Sequence, residues 1–222
     1  MTHSSQPQWQ KSLAWAAGLV FWFALVLQLV LSLKLTYARG GGTLRALWVY
    51  FAYFTILTNL LAAVALAAPL VASRTQAAAF FRRRGTITAI ATYMLLVGIT
   101  YNLLLRNVWQ PQGWQLVADV LLHSVNPILF LAYWWSTGSD STVDTPTYAA
   151  IVRWALYPLT YFVYAVARGL SGDFYTYPFI DVGTLGFPRV LLNAVAISMG
   201  FALVAAMLVA LTRWRASRQV RA

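Results

Sequence analysis

The chain has no cysteine and no glutamate, only two histidines, and charged side chains at 9% of its 222 residues. Each shortage removes a class of function. Without cysteine there is no disulfide framework, no thiolate metal site and no cysteine nucleophile. Two histidines and five aspartates leave little from which to build a metal site, so neither a metal nor a cofactor is expected. Soluble domains carry about 25% charged residues. A chain that is 60% hydrophobic, with mean hydropathy +0.66, belongs instead in a bilayer.

What the sequence does have is apolar length. A helix needs roughly 18 or more apolar residues to cross about 30 Å of hydrocarbon. Six stretches qualify, at about 12–35, 44–71, 86–105, 115–135, 148–167 and 189–211. Helices satisfy their own backbone inside lipid, so the expected fold is an all-α polytopic bundle of six transmembrane helices. No internal repeat divides it, and 1–222 reads as a single integral membrane domain. The length of the first span and the lack of a small-residue cleavage site favour a retained helix over a signal peptide.

The net charge of +11 points to topology, because the basic residues sit at span ends. With both termini on one side, that side holds Lys11, Arg74, Arg82, Arg83, Arg84, Arg153, Arg213, Arg215, Arg218 and Arg221. The other holds Lys34, Arg39, Arg45, Arg106, Arg168 and Arg189. The excess places both termini in the cytoplasm. Nucleic acid is not an expected partner, since no basic face remains once headgroups and topology are served. The Arg82–Arg84 run is read as a topology signal with anionic-lipid contacts. Trp48, Trp109, Trp114, Trp134, Trp135 and Trp154, near span ends, are read as an interfacial belt.

Polar residues inside the spans are few and unevenly placed. His123 lies in QLVADVLLHSVNPILFLAYWW, with Asp119 and Asn126 at helical offsets of four and three on one stripe. Thr55, Thr58 and Asn59 share a face of the second span, roughly 16–22 Å in from its outer end at about 1.5 Å per residue. Asn102 and Arg106 are four apart near the outer end of the third span, Arg168 ends the fifth, and Asp181 and Arg189 lie in the loop that follows. Depth and face gather these groups into the outer half of the bundle. Each has a plain alternative. A threonine can bond the carbonyl one turn back, an asparagine can join two helices, and an arginine can reach out to headgroups. A histidine this deep in an apolar span is harder to set aside.

Three segments carry a family likeness: YFTILTNLL (53–61), LLHSVNPILFL (121–131) and YPFIDVGTLGFPR (177–189). They resemble the androgen-induced and androgen-dependent coagulation-regulator type of membrane protein, six-span threonine hydrolases of branched fatty acid esters, and their bacterial integral-membrane relatives. The resemblance implies Thr55 as nucleophile and His123 as the catalytic histidine, with Tyr177 and Asp181 in the family's loop. It implies bilayer lipids and a lipid-like ester as partners, and a bacterial cytoplasmic (inner) membrane as the location. Thr58, within the same turn, is a second candidate hydroxyl and substrate contact.

The chemistry is consistent with that likeness. A neutral histidine, with a reference pKa of about 6.5, can take a proton from a hydroxyl that is otherwise a poor nucleophile. Asp119 could orient the imidazole. Asn59, Asn102, Asn126 and Arg106 are the candidate donors to a developing oxyanion. Arg168 and Arg189 would suit a carboxylate head at the surface. The alternative is a non-catalytic protein or carrier that binds a lipid or anionic solute through Arg106, Arg168 and Arg189. A proton-coupled transporter using Asp119 and His123 would need deep polar groups on the inner halves, and few are present.

Overall fold

The computed structural model describes residues 7–137 and 145–219, so His3 and Arg221 lie outside the described residues. The described residues are helical apart from short connections and contain no strand. Helix α1 is Gln8–Ala38, α2 Thr43–Tyr50, α3 Phe54–Val71 and α4 Gln76–Arg82. Helix α5, Arg84–Thr100, continues through a π turn at Tyr101–Leu105. Helix α6, Trp114–Val120, passes through a second π turn, Leu121–Val125, into α7, Asn126–Ser136. Helix α8 is Ala150–Leu170, a 3₁₀ turn covers Pro178–Ile180, and α9 is Val182–Gln219, kinked at Gly186.

Six helical segments are long and apolar enough to cross a membrane: Gln8–Ala38, Phe54–Val71, Arg84–Leu105, Trp114–Ser136, Ala150–Leu170 and Val182–Arg218. This is the make-up of an integral membrane protein. Helix α5 is the central one: 61% of its apolar window is buried, against 11% for α8. It packs on α3, α7, α8 and α9, while α1 covers α2, α3, α6 and α7. Phe21, Leu66, Ile90, Met94, Phe130 and Leu208 fill the middle. The apolar side chains left exposed, such as Leu19, Leu103, Val152 and Leu203, suit hydrocarbon rather than water.

Three departures from the sequence reading bear on the site. The second span is not continuous: Phe51–Tyr53 breaks it, so the crossing helix starts at Phe54 and Thr55 lies in its first turn. No glycine or proline marks this break. Remote tyrosines hold it instead, with Tyr161 donating from its hydroxyl to the Ala52 carbonyl at 3.0 Å. Second, helix α9 begins in the segment read as loop, and Asp181 caps it by accepting from the Thr184 amide (3.0 Å) and hydroxyl (2.8 Å). Third, Arg84 is more than a topology signal. It is buried, donates to the Trp134 carbonyl (2.7 Å) and the Thr137 hydroxyl (2.8 Å), and stacks on the Trp134 ring. Trp134 is itself 1% exposed and so is not part of an interfacial belt.

Candidate active site

The π turn at His123 follows from the residue four places on. Pro127 has no amide hydrogen, so the regular bond pattern cannot run through it. The Asn126 amide bonds back five residues to the Leu121 carbonyl. That leaves the Leu122 carbonyl, which Asn126 would otherwise occupy, free for another donor. Asn59 of α3 supplies it, reaching Leu122 O at 3.2 Å and Thr55 O at 2.8 Å with the same Nδ2. Asn126 in turn donates to Asn59 Oδ1 at 2.8 Å. Both Asn59 and Asn126 are fully buried. Asn59 cannot be turned round, because its Nδ2 faces two carbonyls that only accept. The two asparagines thus join α3 to the π turn and hold Thr55 and His123 in register.

Across that joint, Thr55 Oγ1 lies 3.3 Å from His123 Nε2. The other ring nitrogen, Nδ1, lies 3.0 Å from the Asp119 carbonyl and 3.2 Å from Asp119 Oδ1. Both are acceptors, so the proton belongs on Nδ1 and Nε2 presents its lone pair to the threonine hydroxyl. Tyr101 closes the arrangement. Its ring stacks on the imidazole, centroids 3.9 Å apart and 13° from parallel, and its hydroxyl donates to Asp119 Oδ2. The His123 and Asp119 side chains are 15% and 8% exposed. Gly98 permits the close approach of α5, since a Cβ there would meet the His123 carbonyl at 3.2 Å.

Thr55 differs from the other buried threonines in what its hydroxyl can reach. Four residues back is Phe51, outside α3, so no helical carbonyl lies one turn below it. Its amide is one of the unpaired donors of the helix N-terminus. The partner of that amide is the Tyr177 hydroxyl, at a long 3.5 Å. Burial pushes the Tyr177 phenol above the ordinary tyrosine range, with its bonds to Thr55 pulling the other way, so it stays a neutral hydroxyl. Thr58 faces elsewhere: it is fully buried and bonds the Tyr157 hydroxyl at 3.1 Å.

Thr55, Tyr101, Tyr161 and Tyr177 open on one cavity of about 460 Å³ between α5, α8 and α9. Its walls are otherwise almost wholly hydrocarbon, including Leu96, Val97, Ile197 and Phe201. Val152, Leu156 and Leu159 of α8 line it and are also exposed on the outer surface of the bundle, so it opens sideways.

Several residues selected from sequence stand apart from this pair. Asn59 donates to the Thr55 and Leu122 carbonyls and Asn126 donates to Asn59 Oδ1; both are fully buried and neither lines the cavity in front of Thr55. Asn102 and Arg106 are exposed, with Asn102 bonded to the Gly98 carbonyl (2.8 Å) and Arg106 to Asn102 (3.0 Å). Asn102 and His123 are among the residues lining a separate hollow of about 420 Å³, which shares no residue with the main cavity. Arg168 is buried and already paired: Nε and Nη2 each lie 2.7 Å from Asp173 Oδ2. Its Nη1 donates to the Trp48 carbonyl, and Trp48 and Phe174 flank it, each ring centroid 4.5 Å away. Arg45 (2.7 Å) and the Trp48 indole (2.7 Å) complete the set around Asp173. Burial works to raise the Asp173 carboxyl, but its bonds from Arg45 and Trp48 and the Arg168 charge outweigh it and hold it below the usual range. Asp181 is held low by its Thr184 bonds, as an N-cap. Arg189 is exposed and makes no polar contact with the cluster among the described residues.

Sequence reasoning passed over Tyr101, and took Tyr177 only from the family likeness. The signal for Tyr101 was its place next to Asn102, hidden because tyrosine counts as apolar in such a chain. No family model matches this chain, and no curated protein or solved structure matches it.

Proposed function

We propose that the protein hydrolyses lipid (fatty acid) esters within the membrane, with Thr55 as nucleophile and His123 as general base. The carrying observation is the 3.3 Å approach of Thr55 Oγ1 to His123 Nε2, with an aspartate on the opposite ring nitrogen and a hydrocarbon cavity in front. The likeness of 53–61, 121–131 and 177–189 to the threonine hydrolases supports the same reading. Both termini lie in the cytoplasm, by the excess of basic residues on that side, and the membrane is the bacterial cytoplasmic one.

In this reading the ester enters sideways between the helices, its chain in the cavity. The Thr55 proton passes to Nε2 as Oγ1 attacks the ester carbonyl. Asp119 steadies the imidazolium that forms, and Tyr101 holds Asp119 and the ring in place. The donors nearest the nucleophile are the Thr55 amide and the Tyr177 hydroxyl, which take the oxyanion role. The α3 N-terminus adds its partial positive charge there. Nε2 then gives its proton to the departing alkoxide, leaving acyl-Thr55. A water deprotonated by Nε2 releases the fatty acid and restores the hydroxyl.

The test uses purified full-length protein in neutral detergent with a fluorogenic fatty acyl ester. Turnover is expected, with Thr55 labelled by an acylating active-site probe as mapped by mass spectrometry. Turnover should vanish in His123→Ala. Absence of both turnover and labelling would overturn the proposal; stoichiometric lipid binding that survives Thr55→Ala would then favour a binding protein.

A further inference from the structure

Among the described residues, no charged side chain lines the cavity in front of Thr55. The cations that a carboxylate head would need are placed elsewhere. Arg168 is closed between Trp48 and Phe174 with its guanidinium on Asp173, so an internal carboxylate already fills the position that a substrate carboxylate would take. Arg106 points its guanidinium at Asn102, which lines the other hollow, and Arg189 is exposed. The polar groups that do line the cavity are neutral hydroxyls: Thr55, Thr100, Tyr101, Tyr161, Tyr177 and Ser198. An ionised group carried into such a space loses its hydration and gains no counter-ion. A neutral ester loses little, and its chains gain from the hydrocarbon walls.

We infer that the site is selective for neutral esters: acyl esters of uncharged alcohols, with no ionised group within a few bonds of the scissile carbonyl. This rests on the hydrolase reading for its catalytic consequence, but the charge selection itself belongs to the cavity. It reverses the expectation that Arg168 and Arg189 receive a carboxylate head. Hydrocarbon on both sides of the ester is accepted through the sideways opening beside Val152, Leu156 and Leu159.

A matched pair of compounds tests it: a fatty acyl ester of a short hydroxy acid, and the same ester with the carboxylate converted to a carboxamide. Release of the labelled acyl group is followed with the full-length protein in neutral detergent. The carboxamide is expected to be cleaved at least tenfold faster in kcat/KM, most of the difference lying in KM. Binding is read separately in Thr55→Ala, by displacement of a fluorescent neutral lipid, where the carboxamide should compete at a tenfold lower concentration. Equal or better binding and turnover of the free acid would overturn the inference. Neutral preference in the displacement assay with no turnover of either compound would keep the charge selection and sink the hydrolase.

Discussion

Helices α5 and α3 both carry threonines near their starts, yet the two sets are used in opposite ways. In α5, Thr88 donates to the Arg84 carbonyl at 2.8 Å and Thr92 to the Thr88 carbonyl at 2.9 Å, each one turn back. Thr212 in α9 does the same with Leu208. Thr88 Oγ1 also accepts from the Trp134 indole at 3.0 Å. Those hydroxyls are closed into the fold. Thr55 sits in the first turn of α3, where the chain one turn back has already left the helix, and its hydroxyl turns across to an imidazole. The difference is one of position and not of residue type. In α5 and α9 a threonine with a helical carbonyl beneath it satisfies itself, whereas Thr55, above a break, keeps its hydroxyl available.

The widest separation between the two sets should appear in Thr55→Ala against Thr88→Ala. Thr55→Ala removes the proposed nucleophile and is expected to lower ester turnover by about a thousandfold or more, with little change in thermal unfolding. Thr88→Ala should do the reverse. It strands the Trp134 indole in a buried site, at a cost of about 1–3 kcal/mol, and leaves turnover per folded molecule intact. Parallel assays of activity and of unfolding midpoint check both. A Thr88 variant as inactive as the Thr55 variant would erase the distinction.

That contrast also marks where the sequence stops being readable. The six spans were legible because apolar length and sparse charge are properties of whole segments. The Asp119–His123 relation was legible too, since four residues on a helix bring two side chains together. The Phe51–Tyr53 break was not, because the hydroxyl that stabilises it comes from Tyr161, over a hundred residues away. Without the break, Thr55 is a mid-helix threonine with an ordinary role. Asn102 was preferred to Tyr101 for a related reason. Counting polarity selects the amide, but one residue is about 100° of helix rotation, and the phenol is the side chain that faces His123.

Tyr101 sharpens the comparison within the site itself, because stacking and hydrogen bonding can be removed separately. Tyr101→Phe keeps the ring against the imidazole and removes only the donor to Asp119. Loss of a partner that orients a functional imidazole through its neighbour is expected to lower kcat on the order of tenfold, with KM unchanged. Tyr101→Ala removes both contacts and should fall further, on the order of a hundredfold. Equal kcat for the two variants would show that the bond to Asp119 plays no part in positioning. A change confined to KM would move Tyr101 from positioning His123 to binding the chain in the cavity it also lines.

The smallest effect belongs to the clamp beside the site, where Asp173 joins Arg45 of α2 to Arg168 of α8. Four residues on, the same segment delivers Tyr177 to Thr55. The Asp173 carboxyl is held below its ordinary value in the folded protein. A carboxyl depressed in this way contributes stability above its unfolded pKa of about 3.9, and that contribution disappears as pH falls through the lower folded value. Asp173→Asn should therefore unfold at a lower temperature than the wild type at pH 7. The two midpoints should draw together as pH drops below about 4. Turnover of the variant at pH 7 should fall less than tenfold, because the Tyr177 phenol still packs against Tyr53, Tyr161 and Phe179 when the ion pairs are gone. A midpoint difference that stayed constant from pH 7 to pH 3 would mean that asparagine disturbs the clamp by shape, not by charge. Connecting Tyr177 to the charged cluster would then need another route through the loop.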